Sequence, residues 1–183
     1  MDGLSTPRIG TATTPAVRAR RRVCVPAALL TAMFAAFAAA PPAAAETGLP
    51  VPRFVSLRAN EINVRTGPGQ RYPILWVFRR RSLPVEIIAE YDTWRRIRDR
   101  EGAVGWVHQS TLSGRRSVIV AARTRTLRRQ PTAEAPPVAL AEAGVIAGLL
   151  ECADEWCRID AQGYRGWLKR DEVWGVYAGE KLD

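Results

Sequence analysis

The chain has 183 residues, 27 Lys and Arg against 18 Asp and Glu, and a net charge of +9. With one histidine and three cysteines, it holds no cluster suited to metal binding or nucleophilic catalysis, and neither a cofactor nor a catalytic residue is expected. Much of the positive charge lies at the N-terminus, so the headline basicity does not point to nucleic acid.

Residues 1–45 read as a secretory signal peptide. Arg18 and Arg20–Arg22 form a positive block, "VCVPAALLTAMFAAFAAA" follows, and Ala43–Ala45 supplies a small-residue cleavage site. The alternative, a membrane anchor, is disfavoured because Pro26 and the Pro41-Pro42 pair leave the apolar run short of a span. Arg21-Arg22 leaves twin-arginine export open beside the general route, and Cys24 lacks a lipobox. Five arginines and one aspartate leave with this segment, taking the charge from +9 to +5. The product is expected to be exported, periplasmic or secreted. It would meet anionic walls or polymers rather than nucleic acid, with no stable membrane span after processing.

A linker over 46–53 leads into a tandem repeat of about 60 residues. "NVRTGPGQRYPILWVF" and "TLRRQPTAEAPPVALA" align at an offset of 63, and the offset drifts to 61 by the Gly-Trp pairs, Gly105-Trp106 and Gly166-Trp167. The expected elements are β throughout. "LPVEIIAE" and "VIAGLLEC" are branched apolar runs, "WRRIRD" and "WCRID" follow turn-like "YDT" and "ADE", and "GAVGWV" and "YRGWL" are third strands. "HQSTL" and "KRDEV" read as one tight helical turn, while "RRSVIV" and "WGVYAG" read as closing strands. Short strands in units this small predict a strongly bent barrel. Such units are marginal alone, so the pair should pack together.

In "RTGPGQ" a phosphate loop fails, because Pro68 lacks an N–H and no helix follows. A turn with Gly67 and Gly69 at positive φ is expected instead. "INVRTGPGQRYPIL", then Trp94-x-x-Ile97, then "VGWVHQSTL", resembles the bacterial SH3-like (SH3b) family. The resemblance covers about 54–120 with all three motifs and about 123–183 with a divergent loop that has lost both glycines. It implies two tandem SH3-like β-barrels after the leader. It also implies a non-catalytic module that binds peptidoglycan, especially its stem peptides, or else an adaptor docking on an envelope protein.

The same resemblance makes the glycine loop a gripping loop presenting Arg65, Gln70 and Tyr72. Trp76 and Tyr72, flanking Pro73, are the leading groove residues. Trp94 and Trp156 should face away from the core if their strands alternate regularly, as surface contacts. Trp106 and Trp167 are expected in the core, and Trp174 and Tyr177 at the seam between units. His108 is expected to be structural or exposed.

Superposing the repeats sets Cys152 on Glu90 and Cys157 on Arg95, each pair separated by four residues that suit a hairpin. Opposed strand positions lie close enough for a disulfide, so Cys152–Cys157 is expected to be bonded, with reduced thiols awaiting a metal as the alternative. Glu90–Arg95 would be an exposed ion-pair counterpart of small worth.

Overall fold

Branched residues alternating with polar ones, broken by Gly, Pro and Asp turns, leave this chain little choice but short antiparallel strands. The computed structural model describes residues 47–182, and the expected leader at 1–45 lies outside them. No α-helix occurs among these residues, and no helix is long and apolar enough to cross a membrane. The chain folds as two SH3-like units, each a seven-stranded antiparallel sheet coiled about its own core.

The first sheet holds β1 (Arg53–Leu57), β2 (Ile62–Arg65), β3 (Ile74–Phe78), β4 (Pro84–Tyr91), β5 (Trp94–Arg98), β6 (Val104–His108) and β7 (Leu112–Ser113). The second holds β8 (Ser117–Val120), β9 (Arg125–Arg128), β10 (Pro137–Ala141), β11 (Ile146–Ala153), β12 (Trp156–Ala161), β13 (Tyr164–Lys169) and β14 (Val173–Trp174). Strand order is β3-β2-β6-β5-β4-β1-β7 in one and β10-β9-β13-β12-β11-β8-β14 in the other, which is the same topology. Even the irregularities repeat, with a register shift at Ile87/Ala89 in β4 and at Leu149/Glu151 in β11. Tight 3-10 turns at Gln109–Thr111 and Arg170–Glu172 fall where the helical turns were expected.

The expected closing strands need correction. "RRSVIV" does not close the first unit: its Ser117–Val120 pairs with β11 and β14 and opens the second sheet. "WGVYAG" contributes only Trp174 to a strand, and its glycines sit in bends and turns. Both β1 and β8 are buried on both faces. Val55 and Leu57 point into the first core and Val118 and Val120 into the second. The other faces, Phe54 and Ser56 on β1 and Ser117 and Ile119 on β8, are also buried.

The seam between the sheets buries these outer faces. The Phe54 ring meets Trp174 edge-on at 5.0 Å and Tyr177 at 4.6 Å. The Tyr177 hydroxyl donates to Glu86 at 2.8 Å, the Ser56 and Ser117 hydroxyls meet, and Arg80 donates to the Gly144 carbonyl at 3.3 Å. Trp174 and Tyr177 thus lie at the seam, as expected, and the two sheets form one compact unit.

Cys152 and Cys157 are joined by a disulfide across the β11–β12 hairpin, with Cα atoms 4.1 Å apart. The hairpin is tighter than a four-residue loop. Tyr91↔Trp94 and Ala153↔Trp156 also pair, leaving two-residue turns, and the first turn residue of each, Asp92 and Asp154, has φ near +50°. That left-handed φ is what a two-residue hairpin turn matched to strand twist requires. Closing this short loop should contribute about 2 kcal/mol. Mild reduction is therefore expected to raise amide exchange in β11 and β12 while leaving β4 and β5 unchanged. Hydrogen exchange read by mass spectrometry on the two hairpins checks this, and equal loosening of both would refute it.

Candidate functional site

The loop between β2 and β3 is built by one arginine. Arg65 donates through Nη1 to the Tyr72 carbonyl at 2.8 Å, and the Thr66 amide donates to the Pro73 carbonyl at 3.0 Å. The expectation that Gly67 and Gly69 supply positive φ is overturned, since neither has it. The reason for glycine is space. A Cβ on Gly67 would stand 2.6 Å from the Tyr72 ring, and one on Gly69 3.3 Å from it. Tyr72 lies folded over the loop it was expected to project from, with the Arg71 guanidinium 5.2 Å from its ring centre.

The second copy solves the same problem differently. Tyr72 becomes Ala135, so the glycine positions can carry Gln130 and Thr132. Its loop keeps the hydrogen bonds: Arg128 Nη1 donates to the Ala135 carbonyl at 2.9 Å and the Arg129 amide to the Pro136 carbonyl at 3.0 Å. Loss of the glycines therefore leaves the loop framework intact.

Three tryptophan expectations change face, the third being Trp167, which stands half-buried between buried Gly166 and Leu168 on β13 and so faces out. Trp76 pairs with Val64, so both point to the inner face. Trp76 is half-buried against the first core, edge-on to Phe78 at 6.0 Å. Trp106 flanks Gly105 and Val107 on β6, whose positions face inward, so Trp106 faces out and is only half-buried. A Cβ on Gly105 would clash with Val64 Cγ1 at 2.3 Å and approach the Trp76 ring at 3.3 Å. The Gly-Trp pair thus places glycine inward, under Trp76, and tryptophan outward.

Trp94 alternates away from Ile97 as expected but is 9% exposed, and His108, directly across the strand pair, meets its ring edge-on at 5.5 Å. A surface contact role for Trp94 is thereby reduced to its rim. His108 Nδ1 contacts Ser110 Oγ at 2.7 Å and caps the 3-10 turn. Gln70 is exposed at the loop tip. The structure thus brings Arg65 and Tyr72 together, puts Trp106 opposite Arg65 on the outer face, and sets Trp76 on the inner one.

The second unit opens the same face into a cleft of about 670 Å³. Trp156 replaces Trp94 and is half-buried, Lys169 replaces His108 with Nζ 5.9 Å from the Trp156 ring centre, and Arg128 closes the loop beside them. Arg123 and Arg125 add positive charge, and Asp171 and Glu172 balance part of it. Arg125 Nη1 pairs with Glu172 at 3.1 Å, while its buried Nε has no hydrogen-bond partner. The cleft thus offers an aromatic wall beside several cationic donors, suited to a carboxylate-bearing chain with an apolar stem.

Sequence reading missed Lys169, Arg125 and Arg128. The signal was available, because the repeat offsets set Lys169 on His108 and Arg128 on Arg65. Among the described residues no group of three or more His, Cys, Asp and Glu side chains gathers to hold a metal ion.

A family model described as bacterial SH3 domain matches the chain twice, at residues 58–114 and 121–175. Among curated proteins, none matches the chain significantly. Several solved chains align with it, two of them from one organism. NlpC1 from Trichomonas vaginalis is 15% identical, with a TM-score of 0.33, over 76% of this chain and 51% of that one. NlpC2 from the same organism is 14% identical, with a TM-score of 0.33, over 72% of this chain and 50% of that one. The chain spans about half the length of these solved chains.

Proposed function

Since the chain belongs to the bacterial SH3 domain family, we propose that it is an exported, non-catalytic module that binds a cell-envelope ligand. The ligand is peptidoglycan, held through the free carboxylates and short side chains of its stem peptides. The observation that carries this reading is a tryptophan with a nitrogen-bearing partner at the same cross-strand position in both repeats, ring on ring for Trp94 with His108 and cation over ring for Trp156 with Lys169. Each pair lies on the two strands next to the one that carries the loop-closing arginine, β6 and β5 beside β2 and β13 and β12 beside β9, and in the second unit it lines an open cleft. The second unit is the main binder in this reading, Arg65, Gln70, Tyr72 and Trp94 of the first are subsidiary, and Trp76 supports the core from the inner face. The +5 charge of the whole chain after loss of the leader favours an anionic target. The sole histidine is engaged in capping a turn, which supports a binding role over an acid–base one.

The alternative reading is an adaptor docking on an envelope protein. It is favoured by the sheet-edge strand β3, where Ile74 and Leu75 are nearly half exposed and open to strand addition. Co-sedimentation with purified sacculi separates the two. The protein is expected to pellet, and Trp156→Ala to reduce the bound fraction at least tenfold, since a central contact tryptophan is commonly worth about 2 kcal/mol or more. Protein left in the supernatant would reject the peptidoglycan reading and favour the adaptor.

A further inference from the structure

We infer that the seam between the two units carries a second binding site, a cleft for a multiply charged phosphate group, separate from the aromatic wall of the second unit. The cleft has a volume of about 580 Å³ and takes residues from both sheets. That size suits a small ligand rather than a single ion. Arg58, Arg81, Arg115 and Arg116 line it together with Ser82 and Ser113, and no carboxylate lines it.

The four arginines are not equivalent. Arg116 is spent on structure: Nη1 pairs with Glu180 at 2.6 Å and Nη2 donates to the Gly175 carbonyl at 2.8 Å. Arg58, Arg81 and Arg115 are exposed and make no ion pair among the described residues. Three uncompensated guanidinium groups around one cleft repel one another, and an anion of matching charge removes that repulsion. Unpaired arginines occur elsewhere on the chain, but here three of them gather around one recess that no carboxylate lines.

The lining also selects the kind of anion. Guanidinium forks carry only donors, and the Ser113 hydroxyl, which accepts from the Arg115 amide at 3.3 Å, keeps its proton to donate. A ligand that is all acceptor fits, and arginine forks match phosphate oxygens in pairs. The rim is fixed before any ligand arrives. Ser82 holds a left-handed φ of +60°, its amide donates to the Leu57 carbonyl at 2.9 Å, and its carbonyl accepts from Ser117 Oγ at 2.7 Å. Those two bonds come from different units, so ligand bound here would bridge both. The cleft is recessed between the sheets, with buried Leu57 and Ala147 in its lining, which favours a soluble phosphate compound over a flat lipid surface.

Calorimetric titration of the whole protein with pyrophosphate tests the site. The wild type is expected to bind, and the Arg58→Ala, Arg115→Ala double variant to bind at least tenfold more weakly. Neither side chain makes a hydrogen bond or ion pair among the described residues, so the variant should fold, and an unchanged thermal midpoint checks that. Arg79→Ala, an exposed arginine outside the cleft, and Trp156→Ala, in the other cleft, should both bind pyrophosphate as the wild type does. Phosphatidylglycerol vesicles should not displace pyrophosphate. No binding by the wild type, equal binding by the double variant, an equal loss with Arg79→Ala, or displacement by vesicles would each overturn the assignment. Because the Trp156→Ala control keeps this site, failure here is distinguishable from failure of the peptidoglycan reading.

Discussion

Phe54→Ala is expected to destabilise the protein by about 3–5 kcal/mol, the cost of removing a buried aromatic from a packed site. Phe54 is 7% exposed, although it faces away from the first core, because the second unit covers it. Trp174 and Tyr177 hold its two sides and the Arg116 guanidinium stands 5.9 Å from its ring centre. A loss of that size is a large share of the roughly 5–15 kcal/mol that stabilises a typical domain. It should also uncouple the units, turning one cooperative unfolding transition into two. Urea denaturation followed by tryptophan fluorescence reads both effects, and a single transition shifted by less than about 1 kcal/mol would show that the seam is incidental.

The seam has a pH signature as well. Burial, together with the hydrogen bond to Glu86, pushes the Tyr177 hydroxyl pKa well above its ordinary value. A raised folded-state value means that the unfolded chain releases this proton first. The contribution is therefore complete below the ordinary tyrosine value of about 10 and is lost as pH climbs beyond it. Tyr177→Phe should flatten that alkaline loss.

Glu90→Ala is the second large effect, at about 3–5 kcal/mol, because it strands a buried arginine charge. The Glu90–Arg95 pair is not the exposed counterpart of the disulfide that the sequence suggested. The Glu90 side chain is fully covered and the Arg95 side chain is 4% exposed, with Nε 3.2 Å from the carboxylate. Part of the cover comes from the segment before β1, expected as a linker: Thr47 donates to Glu90 from its amide at 2.9 Å, and Arg53, the first residue of β1, pairs with the same carboxylate. Arg95 also donates to the Asp92 and Trp94 carbonyls and to Gln109. The double substitution Glu90→Cys, Arg95→Cys places two cysteines in the register that Cys152 and Cys157 occupy. In oxidised form it should recover most of the loss from Glu90→Ala. Burial alone would raise the Glu90 pKa, but the hydrogen bonds from Arg53 and Thr47 prevail and hold it below the usual carboxylate value. Its contribution is therefore present above the ordinary glutamate value of about 4.3 and is lost as pH falls through the depressed one. Thermal midpoints of wild type and Glu90→Gln between neutral and acid pH check the sign, since the variant should lack this acid-side decline.

Much of this was legible in the sequence because its causes are local. Strand alternation, the two 3-10 turns and the Cys152–Cys157 pairing depend on residues within one hairpin or one repeat. Which face Trp76 and Trp106 take was not legible, because it is fixed by strand register, with Val64 opposite Trp76 and Arg65 opposite Trp106, and that register shifts between Val64 and Arg65. The misplaced closing strand had a readable cue. The offset of 63, continued toward the N-terminus, sets Val55 on Val118 and Leu57 on Val120, so β8 repeats β1 rather than ending the first unit. The burial of Glu90 had no such cue, since it arises where the segment before β1 folds back over the first barrel.

The most direct test of the binding reading follows the six tryptophan indole N–H signals by two-dimensional NMR while a soluble stem-peptide fragment of peptidoglycan is added. The binding reading predicts that Trp156 shifts most, with smaller movement at Trp94 and at the outward-facing Trp106 and Trp167, while Trp76 against the core and Trp174 in the seam stay still. No shift at Trp156, or a response confined to Trp76 or Trp174, would contradict it.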